Sequence, residues 1–130
     1  TRRSSDLLAP GGRAVLQAIT IADDRFEGYR RMPDFIQRYI FPGGMLPSPA
    51  KMNAHIEAAG LRLTDRVAFG LDYARTLAEW RHRFEAAWPE IAAMGFPPRF
   101  RRLWTYYLAY CEGGFRAGAI DVGLWRLEHA

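Results

Sequence analysis

A chain of 130 residues, 49% hydrophobic and 25% charged, is long enough for one packed domain and too ordinary in usage for a disordered or fibrous protein. No apolar run approaches the roughly 20 residues of a membrane span, and no signal-peptide pattern opens the chain. The net charge of +4 comes from 18 basic residues, of which only Lys51 is lysine, and it favours anionic partners without choosing lipid headgroups over nucleic acid. The single cysteine, Cys111, excludes an internal disulfide and fits a reducing cytoplasm.

In chain order, Ser4-Ser5-Asp6-Leu7-Leu8 reads as the end of a helix, and Pro10-Gly11-Gly12 turns the chain into a strand from Arg13 to Ile21. Asp23-Asp24-Arg25 ends that strand, and Phe26 to Arg31 is a charged connection. Pro33 with Asp34 opens a short helix, Phe35 to Ile40. Then comes Tyr39-Ile40-Phe41-Pro42-Gly43-Gly44-Met45-Leu46-Pro47-Ser48, a loop with two prolines as rigid corners and two glycines between them. It carries Phe41, Met45 and Leu46, which suit either the wall of an apolar cavity or plain core.

Ser48-Pro49 is an N-cap followed by proline at the first helical position, and the helix runs to Ala59 with Met52, Ile56 and Ala59 inward. Leu61 to Phe69 is a second strand, with Leu61, Leu63, Val67 and Phe69 as its apolar members. Gly70-Leu71-Asp72 makes a strand-to-helix turn, with Asp72 placed to cap a helix beginning near Tyr73. Leu77, Trp80, Phe84, Trp88 and Ile91 form one stripe of that helix. A last helix, Arg99 to Phe115, turns Phe100, Leu103, Trp104, Tyr107, Leu108, Cys111 and Phe115 inward, and Ile120 to Glu128 is a final strand. Alternating strands and helices predict an α/β fold with a three-stranded mixed sheet and helices packed on it.

Ligands in such sheets bind at the carboxyl ends of parallel strands. If the first two strands are parallel, Gln17, Ile19 and Tyr73 converge on one edge, and Tyr73 sits at a helix start that favours an anion. An interior tyrosine more often only packs and bonds one carbonyl. Arg99, Arg101 and Arg102 interleave with Phe100, Trp104 and Tyr106, which on a helix reads as aromatics inward and arginines in water, not as a nucleic-acid surface. His55, His82 and His129 have no metal-ligand spacing, and no G-x-G-x-x-G occurs.

YIFPGGMLPS resembles the signature of cyclopropane-fatty-acyl-phospholipid synthases, which are S-adenosylmethionine-dependent class I methyltransferases. LLAPGGRAVLQAITI, GLDYARTLAEW, RFRRLWTYYLAYCEGGFRAG and IDVGLWRLEH agree with that family in order. The match is to the C-terminal, substrate-side part of a Rossmann-like methyltransferase, and the resemblance implies that the last strand lies antiparallel between the other two. The resemblance therefore implies a fragment, residues 1–130, that lacks the glycine-rich cofactor-binding half and is itself inactive. It further implies methyl transfer from S-adenosylmethionine to the cis double bond of a phospholipid acyl chain, closing a cyclopropane ring through a carbocation in a dry channel.

The resemblance also implies residue roles. Tyr73 would help hold a bicarbonate ion that acts as base, with Ile19 contributing its backbone. Gln17 stands where the family typically has histidine; it offers hydrogen bonds but takes up no proton. The acyl pocket would fall on Ile19, Phe41, Pro42, Leu46, Tyr73, Leu77, Tyr107, Cys111 and Phe115. Cys111 would act there as an apolar filler and not as a nucleophile. A cytoplasmic enzyme, peripheral on the inner, anionic face of the membrane, is the implied setting. An unpaired strand edge beside the missing half predicts a homo-oligomer. A methyltransferase for a non-lipid molecule and a non-catalytic lipid-binding domain are the rival readings.

Overall fold

Strand β1 (Arg13–Ile21) begins where Gly11, at φ 71°, turns the chain into a run rich in Val, Leu and Ile. The computed structural model describes residues 8–130, so the helix end expected from Ser4 onward lies, but for Leu8, outside the described residues. The connection after β1 is a helix, α1 (Asp23–Arg31). Asp23 and Asp24 in its first turn and Arg30 and Arg31 in its last oppose the helix dipole favourably, and Phe26 is buried beneath it. Charge was its visible feature; charge placed by sign at the two ends is a helix signal.

The short helix α2 (Phe35–Tyr39) starts at a capping box, with Asp34 accepting from the Gln37 backbone N–H and Gln37 accepting from that of Asp34. Helix α3 (Pro49–Ala58) starts at Ser48, whose hydroxyl accepts from the Lys51 N–H at 3.4 Å. Strand β2 (Leu61–Ala68) follows Gly60, and helix α4 (Gly70–Ala86) begins three residues earlier than the start at Tyr73 expected of a cap at Asp72. Asp72 sits inside the first turn, and the carboxylate at the helix start is that of Asp121 from the last strand. The stripe from Leu77 to Ile91 is split. Ala87 ends α4, and Pro89 stands in the first turn of a separate helix, α5 (Trp88–Ala93), where a missing N–H costs nothing. Helix α6 (Pro98–Arg116) and strand β3 (Ile120–His129) complete the chain.

The sheet order is β1-β3-β2, with β3 antiparallel to both neighbours. The last strand lies antiparallel between the other two, as the family resemblance implies, so every ladder is antiparallel while β1 and β2 run parallel to each other without touching. Register runs from Arg13 opposite Glu128 to Ile21 opposite Ile120 on one side. On the other it shifts between Leu63 and Asp65, where the Thr64 hydroxyl donates to the Arg126 carbonyl at 3.1 Å.

Helices α4 and α6 cover one face, where Ala74, Leu77, Leu108, Cys111 and Phe115 bury Val122. Helix α3 covers the other, where Ile56 joins Leu61, Trp125 and Leu127. The outer edge of β1 has no partner strand among the described residues, and Val15 and Leu16 on it are 58% and 46% exposed. Such an edge invites pairing. The isolated chain is therefore expected to sediment as a dimer or higher assembly at tens of micromolar; a monodisperse monomer would contradict this.

Candidate active site

Six of the residues singled out in the sequence come together against the α4–α6 face of the sheet. Ile19 projects from β1 opposite Val122, while Tyr73 and Leu77 come from α4 and Tyr107, Cys111 and Phe115 from α6. Helical periodicity explains the second group: residues four apart on α6 stack on one face, as do Tyr73 and Leu77 on α4. The Tyr73 ring meets Phe115 edge-on at 5.2 Å and Trp80 at 5.9 Å. Trp80 was read only as part of a stripe. Its position two turns beyond Tyr73 was the signal that it shares this site.

The loop reaches the cluster at one point. Phe41-Pro42-Gly43-Gly44 is a β-turn closed by the Gly44 N–H donating to the Phe41 carbonyl at 2.9 Å, with Gly43 at φ 80° as a type II turn requires. Phe41 meets Tyr107 edge-on at 6.3 Å yet remains 58% exposed. Pro42 is exposed and Leu46 half-buried, and neither belongs to the packed cluster. The loop is braced from outside: Gln37 Nε2 donates to the Gly44 carbonyl at 2.9 Å, and the Leu46 N–H donates to the Tyr29 hydroxyl at 3.2 Å.

Gln17 stands on the same face of β1 as Ile19 but two residues earlier, about 7 Å along the strand, and is exposed opposite Leu124. It is not packed in the cluster with Tyr73. Tyr106, expected inward, is 53% exposed, packed on Phe35 at 4.5 Å and stacked with Tyr110. The Tyr110 hydroxyl donates to Asp34 Oδ2 at 3.1 Å, so α2 is pinned to the outside of α6. Arg99, Arg101 and Arg102 are exposed, and Arg101 pairs with Glu85 while lying over the Trp88 ring.

Burial sets the ionisation of the cluster. It pushes the Tyr107 phenol above its ordinary value, and it pushes the Cys111 thiol to about 11, with the Asp34 charge acting in the same direction. Both groups therefore stay neutral near pH 7. At pH 8 roughly one Cys111 in a thousand would be thiolate, against about one in four for an ordinary cysteine. The folded protein is expected to react with thiol reagents at least a hundredfold more slowly than the urea-unfolded chain, and equal rates would show the thiol to be accessible. The arrangement is thus a packed apolar cluster of aromatic faces carrying two phenols, Tyr73 and Tyr107. No group of three or more His, Cys, Asp or Glu side chains suited to a metal occurs among the described residues.

The chain is similar to proteins with related names. It is 43% identical over 122 residues to tuberculostearic acid methyltransferase UfaA1 of Mycobacterium tuberculosis, covering 93% of this chain and 29% of that protein. It is 45% identical over 93 residues to the cyclopropane-fatty-acyl-phospholipid synthase of Escherichia coli, covering 72% and 23%. The structure of mycolic acid cyclopropane synthase CmaA1 complexed with SAH and CTAB superposes with a TM-score of 0.79 at 28% identity, over 89% of this chain and 44% of that one. The chain thus spans under a third of the length of these two curated relatives. Residues 1–125 match the sequence model described as mycolic acid cyclopropane synthetase, and on that match the chain belongs to this family.

Proposed function

We propose that the protein carrying this chain transfers a methyl group from S-adenosylmethionine to the cis double bond of a phospholipid acyl chain, and that residues 1–130 supply the acyl-facing side of its site. The observation that carries the reading is the apolar cluster of Ile19, Tyr73, Leu77, Tyr107, Cys111 and Phe115 at the end of the sheet, reached by Phe41. The family match supports it, as does the CmaA1 complex, in which SAH is the demethylated cofactor and CTAB a long-chain surfactant.

S-adenosylmethionine supplies the methyl group when bound, but the residues of this chain do not fit it. Among the described residues no strand ends in a glycine-rich turn: the β2–α4 junction has one glycine, Gly70, and Asp121 and Phe115 fill the space beside it. We propose that the cofactor is held by a part of the enzyme other than residues 1–130. What this chain does is exclude water and orient the alkene. Aromatic faces of Tyr73, Tyr107 and Phe115 also stabilise positive charge developing on carbon. The Tyr73 hydroxyl, with the Ile19 backbone and Gln17, is proposed to hold bicarbonate as the base that removes the proton. Cys111 is a wall residue in this reading, with Pro42 and Leu46 placed at the rim.

The protein is proposed to work in the cytoplasm, peripherally on an anionic membrane surface; no helix among the described residues is long and apolar enough to cross a membrane. The test is incubation of the full-length protein with labelled S-adenosylmethionine and unsaturated phospholipid vesicles, followed by proton NMR of the recovered lipid. Cyclopropane protons are the expected result. A methyl or methylene branch would move the protein to simple methylation, and label only in a non-lipid acceptor would overturn the lipid reading. Vesicle association without any transfer would leave a lipid-binding domain.

Gln17→Ala in the same protein is expected to lower transfer roughly three- to tenfold, the worth of one partly solvated hydrogen bond, with vesicle binding unchanged. Equal transfer at all bicarbonate concentrations would remove Gln17 from the site.

A further inference from the structure

Asp121, the second residue of β3, links three elements. Its Oδ1 accepts from the Gly70 N–H at 3.1 Å and from the Val122 N–H at 2.8 Å. Its Oδ2 lies 3.5 Å from the Arg66 guanidinium, which is stacked 4.4 Å over the Trp125 ring. Gly70 is the first residue of α4, and the flanking Phe69 makes no side-chain cap bond. The Asp121 carboxylate takes that role from 51 residues away. The fit is close: a Cβ on Gly70 would stand 2.5 Å from Asp121 Oδ1 and 3.2 Å from Phe115 Cδ1.

Tyr73 lies in the same first turn, its N–H donating to the Phe69 carbonyl at 3.0 Å and its ring resting on Phe115. Ile19 is fixed separately, paired with Val122 next to Asp121 on β3. Movement of the first turn of α4 against β3 would therefore carry the Tyr73 hydroxyl away from Ile19. Asp121 is the side chain that bonds the one to the other.

Resting on the role proposed above for Tyr73, we propose that Asp121 is a positioning residue: it locks the first turn of α4 to β3 and so sets the place of the Tyr73 hydroxyl in the site. Arg66 holds its second oxygen, and Trp125 holds Arg66. None of the three touches substrate.

The experiment uses the full-length protein with Asp121→Ala, Asp121→Asn and Gly70→Ala. A control, Ile56→Val, weakens the opposite core. Hydrogen exchange by mass spectrometry over residues 70–77 reads the lock directly, and kcat and KM for vesicle lipid read its consequence. Asp121→Ala and Gly70→Ala are expected to raise exchange in that segment at least tenfold and to lower kcat at least fivefold, with KM within threefold. Asp121→Asn, which keeps the accepting oxygen, should restore both to within threefold of the parent. Ile56→Val should lower the melting temperature with kcat unchanged.

Unchanged exchange in Asp121→Ala overturns the proposal, as does a kcat loss that Ile56→Val reproduces at equal loss of melting temperature. A fully active Tyr73→Phe overturns the reading of Tyr73 instead, and with it the catalytic consequence of the anchor, while the exchange result stands by itself.

Discussion

Tyr73→Phe in the full-length protein is expected to lower methyl transfer roughly ten- to a hundredfold, the range for one hydrogen bond to a charged partner, while vesicle affinity stays within a factor of three. The substitution removes one oxygen and keeps the ring, so the edge-on contacts with Phe115 and Trp80 survive. Packing alone would leave activity nearly as it was. A loss confined to kcat marks a group needed in the transition state, whereas a parallel rise in KM would mark plain acyl contact. The measurement pairs labelled transfer with lipid binding and melting temperature. Unchanged transfer would leave this tyrosine as a packing residue of the apolar cluster.

Much of the local architecture was legible because its causes are local. Proline and glycine fix the turn at Phe41 to Gly44, and Asp34 and Ser48 cap helices within three residues of themselves. The inward stripe of α6 follows from its spacing, and burial of Leu108, Cys111 and Phe115 agrees with it. The β1–β3–β2 order with an antiparallel centre came from resemblance to the family and not from the strands themselves, whose apolar patterns do not state their neighbours.

What escaped the sequence depends on distant partners. Asp72 was the natural cap by spacing, but a carboxylate on β3 reaches the helix start first, and nothing within ten residues of Gly70 announces it. Val67, counted with the apolar members of its strand, is exposed because α4 and α6 cover only the other end of that face. Tyr106 faces outward because α2 brings Phe35 to it, a contact between elements 71 residues apart in number. Convergence of Ile19 with Tyr73 was readable from strand direction; the exposure of Gln17 was not, since it turns on where the covering helices stop.

Trp125→Ala is expected to be the most destabilising single change in the chain, at about 3–5 kcal/mol in urea unfolding. The ring is 1% exposed and packs with Ile56, Leu61 and Leu127 beneath α3. Removing it opens a cavity between sheet and helix and strips Arg66 of the face it stacks on. The indole N–H has no hydrogen-bond partner among the described residues, a cost the native fold already bears. That detail predicts an asymmetry. Trp125→Phe keeps most of the packed surface and deletes the unsatisfied donor, so it should cost under half as much as the alanine change. Equal losses would show that ring size, and not the aromatic face under Arg66, decides the stability of this side of the sheet. A small loss in Trp125→Ala would show that the β3–α3 core is not what holds the fold.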